Sequence, residues 1–350
     1  MSRFLQLHLL TFFPPANLNR DDTGRPKTAI VGGATRLRLS SQALKRAWRT
    51  SEIFTTALAG HMGQRTQRLG EVVLKHLLDA GMAEPAALEL ARDIGGVFGK
   101  VKDARDPNPG RIEQLAFIAP EERTAALLLA DRALAGEKVD AKAANLLRKA
   151  DSAADIAMFG RMLAADPDYN REAAAQVAHA ITTHKVVVED DYYTAVDDLK
   201  TSAEDAGAGF LGEAAFGSGV FYLYLCIDRA LLLKNLGDDA TVAATALGAL
   251  AEAAATVAPR GKQNSFAAHG RAHYVLAERG DRQPRTLAGA FAKSVDGKDL
   301  MGRSIEELVR FRTQLDAAYG PAATGSATME VGKSGTLADI IAFCTDFGHG

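Results

Sequence analysis

Strand-like sequence brackets a long helical block, and this arrangement constrains the fold more than any other feature. Residues 4–13, a short segment running into Gly32-Gly33 with its return through Arg36, Leu37, Arg38 and Leu39, Val177 to Val188, and Gly219 to Ile227 all read as strands. Between the second and third of these, residues from about 60 to 155 read almost wholly as helix, in runs such as LGEVVLKHLLDAGM and RTAALLLADRALAG. Strands that enclose long helical and loop insertions predict an α+β core elaborated at its connections, not an alternating doubly wound sheet.

In residues 4–13, Leu5, Leu7 and Leu9 share one strongly apolar face with Thr11, and Phe4, Gln6, His8 and Leu10 point the other way. This pattern predicts a buried strand with one face partly free, ended by Pro14 and Pro15. The polar run from Asn17 to Gly24 is a loop, and Ser40 or Ser41 is placed to cap a helix from residue 42 to about 54. Further helices are expected from about Asp239 to Val257, near Ser304 to Tyr319, and from about Thr336 to Phe347. The acidic, Gly-rich segment before Gly219 reads as a protrusion between two strands.

A chain of 350 residues with 47% hydrophobic and 24% charged side chains is neither a disulfide-stapled miniature nor a disordered or membrane-embedded one. The net charge of −2 taken alone argues against a polyanion partner. It hides a segregation, however. Residues 1–50 carry nine cations against Asp21 and Asp22, a net +7, and residues 259–303 are net +5. Residues 51–258 are net −11 and the remainder −3. A chain divided this way can present a basic surface while staying near neutral overall.

Cys226 and Cys344 read as reduced packing residues of a cytoplasmic protein. FLQLHLLTFF has the length of a signal h-region but contains Gln6 and His8 and lacks a small-residue cleavage site, so secretion is not expected. No segment approaches the ~20 apolar residues of a membrane span.

The strongest local signal lies in SSQALKRAWRTSEIF. Gln42, Lys45, Arg46 and Arg49 recur at i, i+3, i+4 and i+7 and form one polar stripe, with Leu44, Ala47 and Trp48 on another face as an anchor. Ser40 and Ser41 add hydroxyls and free amides at the positive end of the helix, where a phosphate is favoured. The stripe alone is also the pattern of an ordinary solvated face. Lys27, Arg36 and Arg38 nearby shift the reading toward nucleic acid, with cations that hold phosphates without reading sequence.

Other motifs carry less. GAGFLG at 207–212 matches a dinucleotide-binding pattern in letters, but no buried strand precedes it and no substantial helix follows. VGKS at 331–334 lacks the first glycine of a P-loop. Asp190, Asp191, Asp197 and Asp198 are clustered carboxylates of the kind that bind Mg²⁺ for phosphodiester hydrolysis. No lysine or histidine is placed in sequence to complete a catalytic set, so a solvated loop is the preferred reading. His179 and His184 lack metal-site spacing, and His269 and His273 would share a metal only on a helix. No cofactor is implied.

NLNRDD (17–22), Lys27, the run from Gly32 to Ala47, DIAMFGRM (155–162), VAHAITTHKV (177–186), YYTAVDDL (192–199) and SGVFYLYL (218–225) together resemble the CasC-type backbone subunit of the type I-E CRISPR Cascade complex. The resemblance implies a hand-like fold. A modified RRM-type palm would comprise 1–59, 156–188 and 218–350, a helical finger insertion 60–155, and a thumb 189–217. It further implies a non-catalytic subunit that polymerises in several copies along a CRISPR RNA, beside other Cascade subunits, and presents the guide bases for pairing with target DNA.

Carried over residue by residue, the family's RNA contacts fall on Arg20, Lys27, Ser40, Gln42, Lys45, Arg46 and Arg49. Arg161 and Met162 fall where a side chain is inserted against the guide bases, and Lys262 lies in RGKQ, where the family has Gly-Ala-Lys-Gln. A metal-dependent nuclease built on the Asp190 cluster and a general single-strand RNA-binding protein are the competing readings.

Overall fold

A computed structural model describes residues 2–163, 166–195 and 210–347. The first strand, β1 (Phe4–Ala16), is longer than expected and continues through both prolines, with a register irregularity between Phe13 and Ala16. Strands β2 (Thr28–Val31) and β3 (Ala34–Leu39) form the hairpin over Gly32-Gly33. Both glycines have positive φ, and a side chain at Gly32 would collide with the Ala292 carbonyl.

The predicted helix at 42–54 is two helices, α1 (Ser41–Arg49) and α2 (Glu52–Ala57). The break has a local cause. Ser51 is extended and accepts from the Phe54 amide, so it caps a new helix instead of continuing the old one.

The helical block contains β4 (Gln64–Thr66), α3 (Leu69–Asp79), α4 (Glu84–Phe98), β5 (Ala116–Ile118) and α5 (Pro120–Leu134). β4 and β5 pair as a small sheet that the periodicity did not reveal. Leu69, Val73, Leu77, Ile94, Phe98 and Leu129, among others, form a hydrophobic core of their own. The chain returns through α6 (Ala154–Phe159), β6 (Ala175–Val177) and β7 (Ala180–Thr182), two short strands where one longer strand was expected. β8 (Glu189–Ala195) and the first part of β9 (Phe210–Asp228) then pair as a projecting arm.

The rest of the chain adds α7 (Arg229–Asn235), α8 (Ala240–Thr256), α9 (Gln263–Phe266), β10 (Ala272–Gly280), α10 (Leu300–Tyr319), β11 (Gly325–Glu330) and α11 (Leu337–Thr345). Among the described residues nine strands share one antiparallel sheet with the path β11-β10-β1-β9-β7-β3-β2, and β6 and β8 attach to β9.

Both faces of this sheet are covered. Leu5, Leu7 and Leu9 pack with α8, whose many alanines let it lie close to the sheet. Leu10, Tyr222, Tyr274 and Leu276 pack with Phe291 and with Leu308 of α10 on the other side. The face of β1 expected to be partly free is therefore buried, with Gln6 at 1% and His8 at 0% exposure.

Burial of these polar side chains is sustained by hydrogen bonds. Tyr224 Oη donates to Gln6 Oε1 at 2.8 Å, and His8 Nδ1 lies 2.9 Å from Tyr222 Oη. Glu278 lies 3.3 Å from His8 Nε2 and accepts from Arg285 at 2.7 Å and from Arg312 at 2.8 Å. Burial raises the Glu278 pKa, but the bonds from His8 and Arg285 outweigh it and hold the carboxyl well below its ordinary value. Among the described residues no helix is long and apolar enough to cross a membrane.

Candidate nucleic-acid interface

Helix α1 is held in one rotation by its apolar side. Leu44, Ala47 and Trp48 are buried, and the Trp48 indole N–H donates to the Val257 carbonyl at 3.2 Å. Ser40 caps the helix through its hydroxyl oxygen, which accepts the Ala43 amide at 3.3 Å. The opposite side carries the stripe, and its four members differ. Gln42 and Arg46 are exposed; Lys45 and Arg49 are half-buried.

The Lys45 ammonium lies 5.6 Å from the centre of the Phe159 ring, and burial lowers its pKa from the ordinary value. Arg49 turns inward. Its Nε donates to Asp155 Oδ2 at 2.6 Å, and its guanidinium sits 4.5 Å from the Phe117 ring centre. Arg49 thus joins α1 to α6 before it can serve any ligand.

The loop from Asn17 to Lys27 is tied to the same helix. Asn19 Oδ1 accepts the Ser40 amide at 2.8 Å, and the Asn19 carbonyl accepts the Lys27 amide at 2.9 Å. Lys27 in turn pairs through its carbonyl with the Arg38 amide at 2.8 Å. Arg38 donates from Nη1 to His179 Nδ1 at 2.8 Å. Burial, and then the charges of Arg38 and Lys27, lower the His179 pKa, so this ring is a neutral acceptor in a positive field.

Arg36 does not join this surface. Its side chain is wholly buried and donates to the carbonyls of Thr182 and Phe291 at 2.9 and 3.1 Å. Positions 36 and 38 share one face of β3, which is covered over Arg36 by the segment of Phe291 and left partly open at Arg38.

Lys262 completes the surface from the far end of the chain. It adopts a left-handed backbone, φ 52° and ψ 25°, at the entrance to α9. A side chain at Gly261 would come within 2.3 Å of the Leu18 carbonyl oxygen and 2.5 Å of that of Asn17. The absence of one there lets the 260–263 loop lie directly on the 17–20 loop. Arg20 and Lys262 consequently line one cavity of about 440 Å³, floored by Asn17. Lys262 also borders a cavity of about 780 Å³ with Arg260 and His269. Lys27, Arg38, the N-terminus of α1, Arg20 and Lys262 are thus brought to one region through Asn19 and the packing of the two loops, with Asp21, Asp22 and Glu213 standing among them.

Arg161 corrects an expectation. Its side chain is fully enclosed and donates to Glu122 Oε2 at 2.6 Å, so it does not reach a ligand. The next residue faces solvent. Met162 is 81% exposed, between two residues that are buried.

The acidic cluster is described only in part. Asp190 pairs with Arg25 at 2.7 Å, which also approaches Glu213 at 3.7 Å, and Asp197 and Asp198 lie outside the described residues. Among the described residues no group of three or more His, Cys, Asp or Glu is placed to hold a metal ion. His273 stands on strand β10, so the helical arrangement that His269 and His273 would need is absent. Phe210 opens strand β9 within GAGFLG, and Lys333 of VGKS pairs with Glu330 at 2.7 Å.

The sequence reading did not single out Asn19, which locks the basic loop to α1, or the hydrogen bond between Arg38 and His179. An asparagine in a polar loop signals a turn, but nothing local tells which distant amide it will accept.

Solved chains are similar to this one, two of them as follows. A chain of "CRISPR RNA-guided surveillance complex, pre-nicking" superposes with a TM-score of 0.83 at 29% identity, covering 97% of this chain and 100% of that one. A chain of "CRISPR RNA-guided surveillance complex" superposes with a TM-score of 0.73 at 26% identity, covering 96% and 94%. No curated protein matches the chain. The family model described as CT1975-like protein matches residues 5–341, almost the whole length, and the chain therefore belongs to this family of CRISPR-associated proteins.

Proposed function

We propose that the chain is a non-catalytic, RNA-binding backbone subunit of a type I-E Cascade complex, the CasC-type subunit. Several copies polymerise along one CRISPR RNA in the cytoplasm, with other Cascade subunits at the ends and sides. The observation that carries this reading is the gathering of Lys27, Arg20, the α1 stripe and Lys262 in one region, joined through Asn19 and the close approach at Gly261, in a chain similar along almost its entire length to subunits of RNA-guided surveillance complexes.

The division into an RRM-like palm (1–59, 156–188, 218–350), a helical finger insertion (60–155) and a thumb (189–217) belongs to the same reading. The separate core of the helical block and the projecting β8–β9 arm support it.

The chemistry fits the task. A subunit that accepts any guide must hold phosphates with cations, amides and hydroxyls and leave base edges free to pair with target DNA. Arg20, Lys27, Lys45, Arg46 and Lys262 supply cations, while Ser40 and Gln42 supply neutral polar groups. Arg49 acts by orienting α1. Met162 projects to unstack the guide at one step through van der Waals contact, which is blind to sequence.

Labelled single-stranded RNA incubated with the purified protein, with and without Mg²⁺, tests the assignment. Intact RNA retained under both conditions is expected. Metal-dependent cleavage lost in Asp190→Ala or Asp197→Ala would replace the scaffold with a nuclease.

A further inference from the structure

The two residues that flank the exposed Met162 are locked in place. Leu163 is 1% exposed within the helical core, and its amide donates to Asn170 Oδ1 at 2.7 Å. Arg161 exchanges both backbone hydrogen bonds with Arg171, at 3.0 and 2.8 Å. Its guanidinium then donates to Glu122 Oε2 at 2.6 Å and to the carbonyls of Phe117, Arg148 and Tyr169, each at 3.2 Å.

Glu122 is satisfied in turn. Its oxygens accept the amides of Ala119 at 3.0 Å and Arg148 at 2.9 Å. Arg171 extends the cluster to Asp151 at 2.8 Å and to the Asn235 carbonyl at 3.0 Å. Both carboxylates and both guanidinium groups are almost wholly buried.

Four charges withdrawn from water carry a large desolvation cost, and apolar side chains of similar volume would hold these segments together at least as well. What the ionic arrangement adds is direction. A guanidinium fixed by a carboxylate and three carbonyls permits one placement of the segment 159–163, whereas an apolar contact tolerates sliding. That same segment carries Phe159 beneath the Lys45 ammonium, so Met162 stands at a fixed place relative to α1.

We propose that Glu122, acting through Arg161, is the positioning residue for Met162. It fixes where along the bound RNA the methionine enters relative to the cations of α1. The inference rests on reading Met162 as the residue that displaces a guide nucleotide.

The test uses the full-length chain bound to a long single-stranded RNA, probed by 2′-hydroxyl acylation. Three variants are compared: Met162→Gly, Glu122→Gln, and the apolar exchange Glu122→Leu with Arg161→Met, which keeps the fold if Glu122→Gln does not. Periodic reactivity at displaced nucleotides should fall by about threefold or more in all folded variants, while the RNA affinity of the two Glu122 variants and its salt dependence stay near those of the parent chain. A merely structural role would lower thermal stability and affinity together and leave the reactivity pattern of the folded apolar variant intact. Loss of the pattern in Met162→Gly but not in either Glu122 variant overturns the positioning role alone. An unchanged pattern in Met162→Gly overturns the reading of Met162 and the proposal with it.

Discussion

Arg49 Nε donates to Asp155 Oδ2 at 2.6 Å, and the other oxygen of Asp155 accepts the Gly63 amide at 2.8 Å. The last cation of the α1 stripe therefore fastens α1 to α6 and to the chain entering the helical block. Burial raises the Asp155 pKa, with the bond from Arg49 and the amides of Gly63 and Ile156 opposing it.

Removing Arg49 and removing Arg46 should consequently differ. Arg49→Ala leaves a buried carboxylate unpaired and is expected to cost about 3 kcal/mol of stability, read by denaturant unfolding. Arg46→Ala, on an exposed position, is expected to leave stability within about 0.5 kcal/mol. Equal destabilisation by the two would contradict the separation of their roles.

Phosphate contact makes its own forecast for Arg46 and Lys45. Each change to alanine should weaken RNA binding about equally for all sequences and lower the slope of log affinity against log salt by about 1. Titrations at several salt concentrations with two unrelated RNA sequences check this. A loss confined to one sequence would assign these residues to base readout.

Gly261 is forecast to be as important as the lysine beside it. Gly261→Ala places a methyl group 2.3 Å from the Leu18 carbonyl oxygen, so the 260–263 loop must shift away from Arg20. RNA affinity is expected to fall about as far as in Lys262→Ala, and the overpacking is expected to lower stability by about 1–3 kcal/mol. Wild-type affinity in Gly261→Ala would show that the close approach of the two loops is dispensable.

Acid should weaken the fold through its buried histidines. Burial lowers the pKa of His8 and His184 below the ordinary value of 6.5, so below that pH the unfolded chain takes up protons that the folded chain refuses. Stability therefore falls as the pH drops from 7 towards 5, by up to about 1.4 kcal/mol per pH unit for each proton withheld. His8→Gln should flatten part of this dependence in thermal unfolding curves. A slope identical to that of the parent chain would exclude His8 as its source.

The outline of the fold was legible because it rests on periodicity. The apolar alternation of β1, the Gly32-Gly33 turn and the cap at Ser40 are local signals, and all three appear where the residues put them. Long-range partnership left no such signal. Arg36 and Arg38 look alike in sequence, yet one ends beneath Phe291 and the other beside His179. Arg161 reads as a surface cation next to Met162 until Glu122, 39 residues earlier, is placed against it. The polar face of β1 reads as partly exposed because nothing near Gln6 and His8 announces Glu278 and Arg285 across the sheet.

The proposed scaffold assembles on RNA, and light scattering of the protein mixed with single-stranded RNAs of increasing length tests this most directly. The mass of the complex should rise in equal steps, one protein copy for each added increment of RNA, with no filament in its absence. A protein mass that is the same at every RNA length, or filaments that form equally well without RNA, would contradict it.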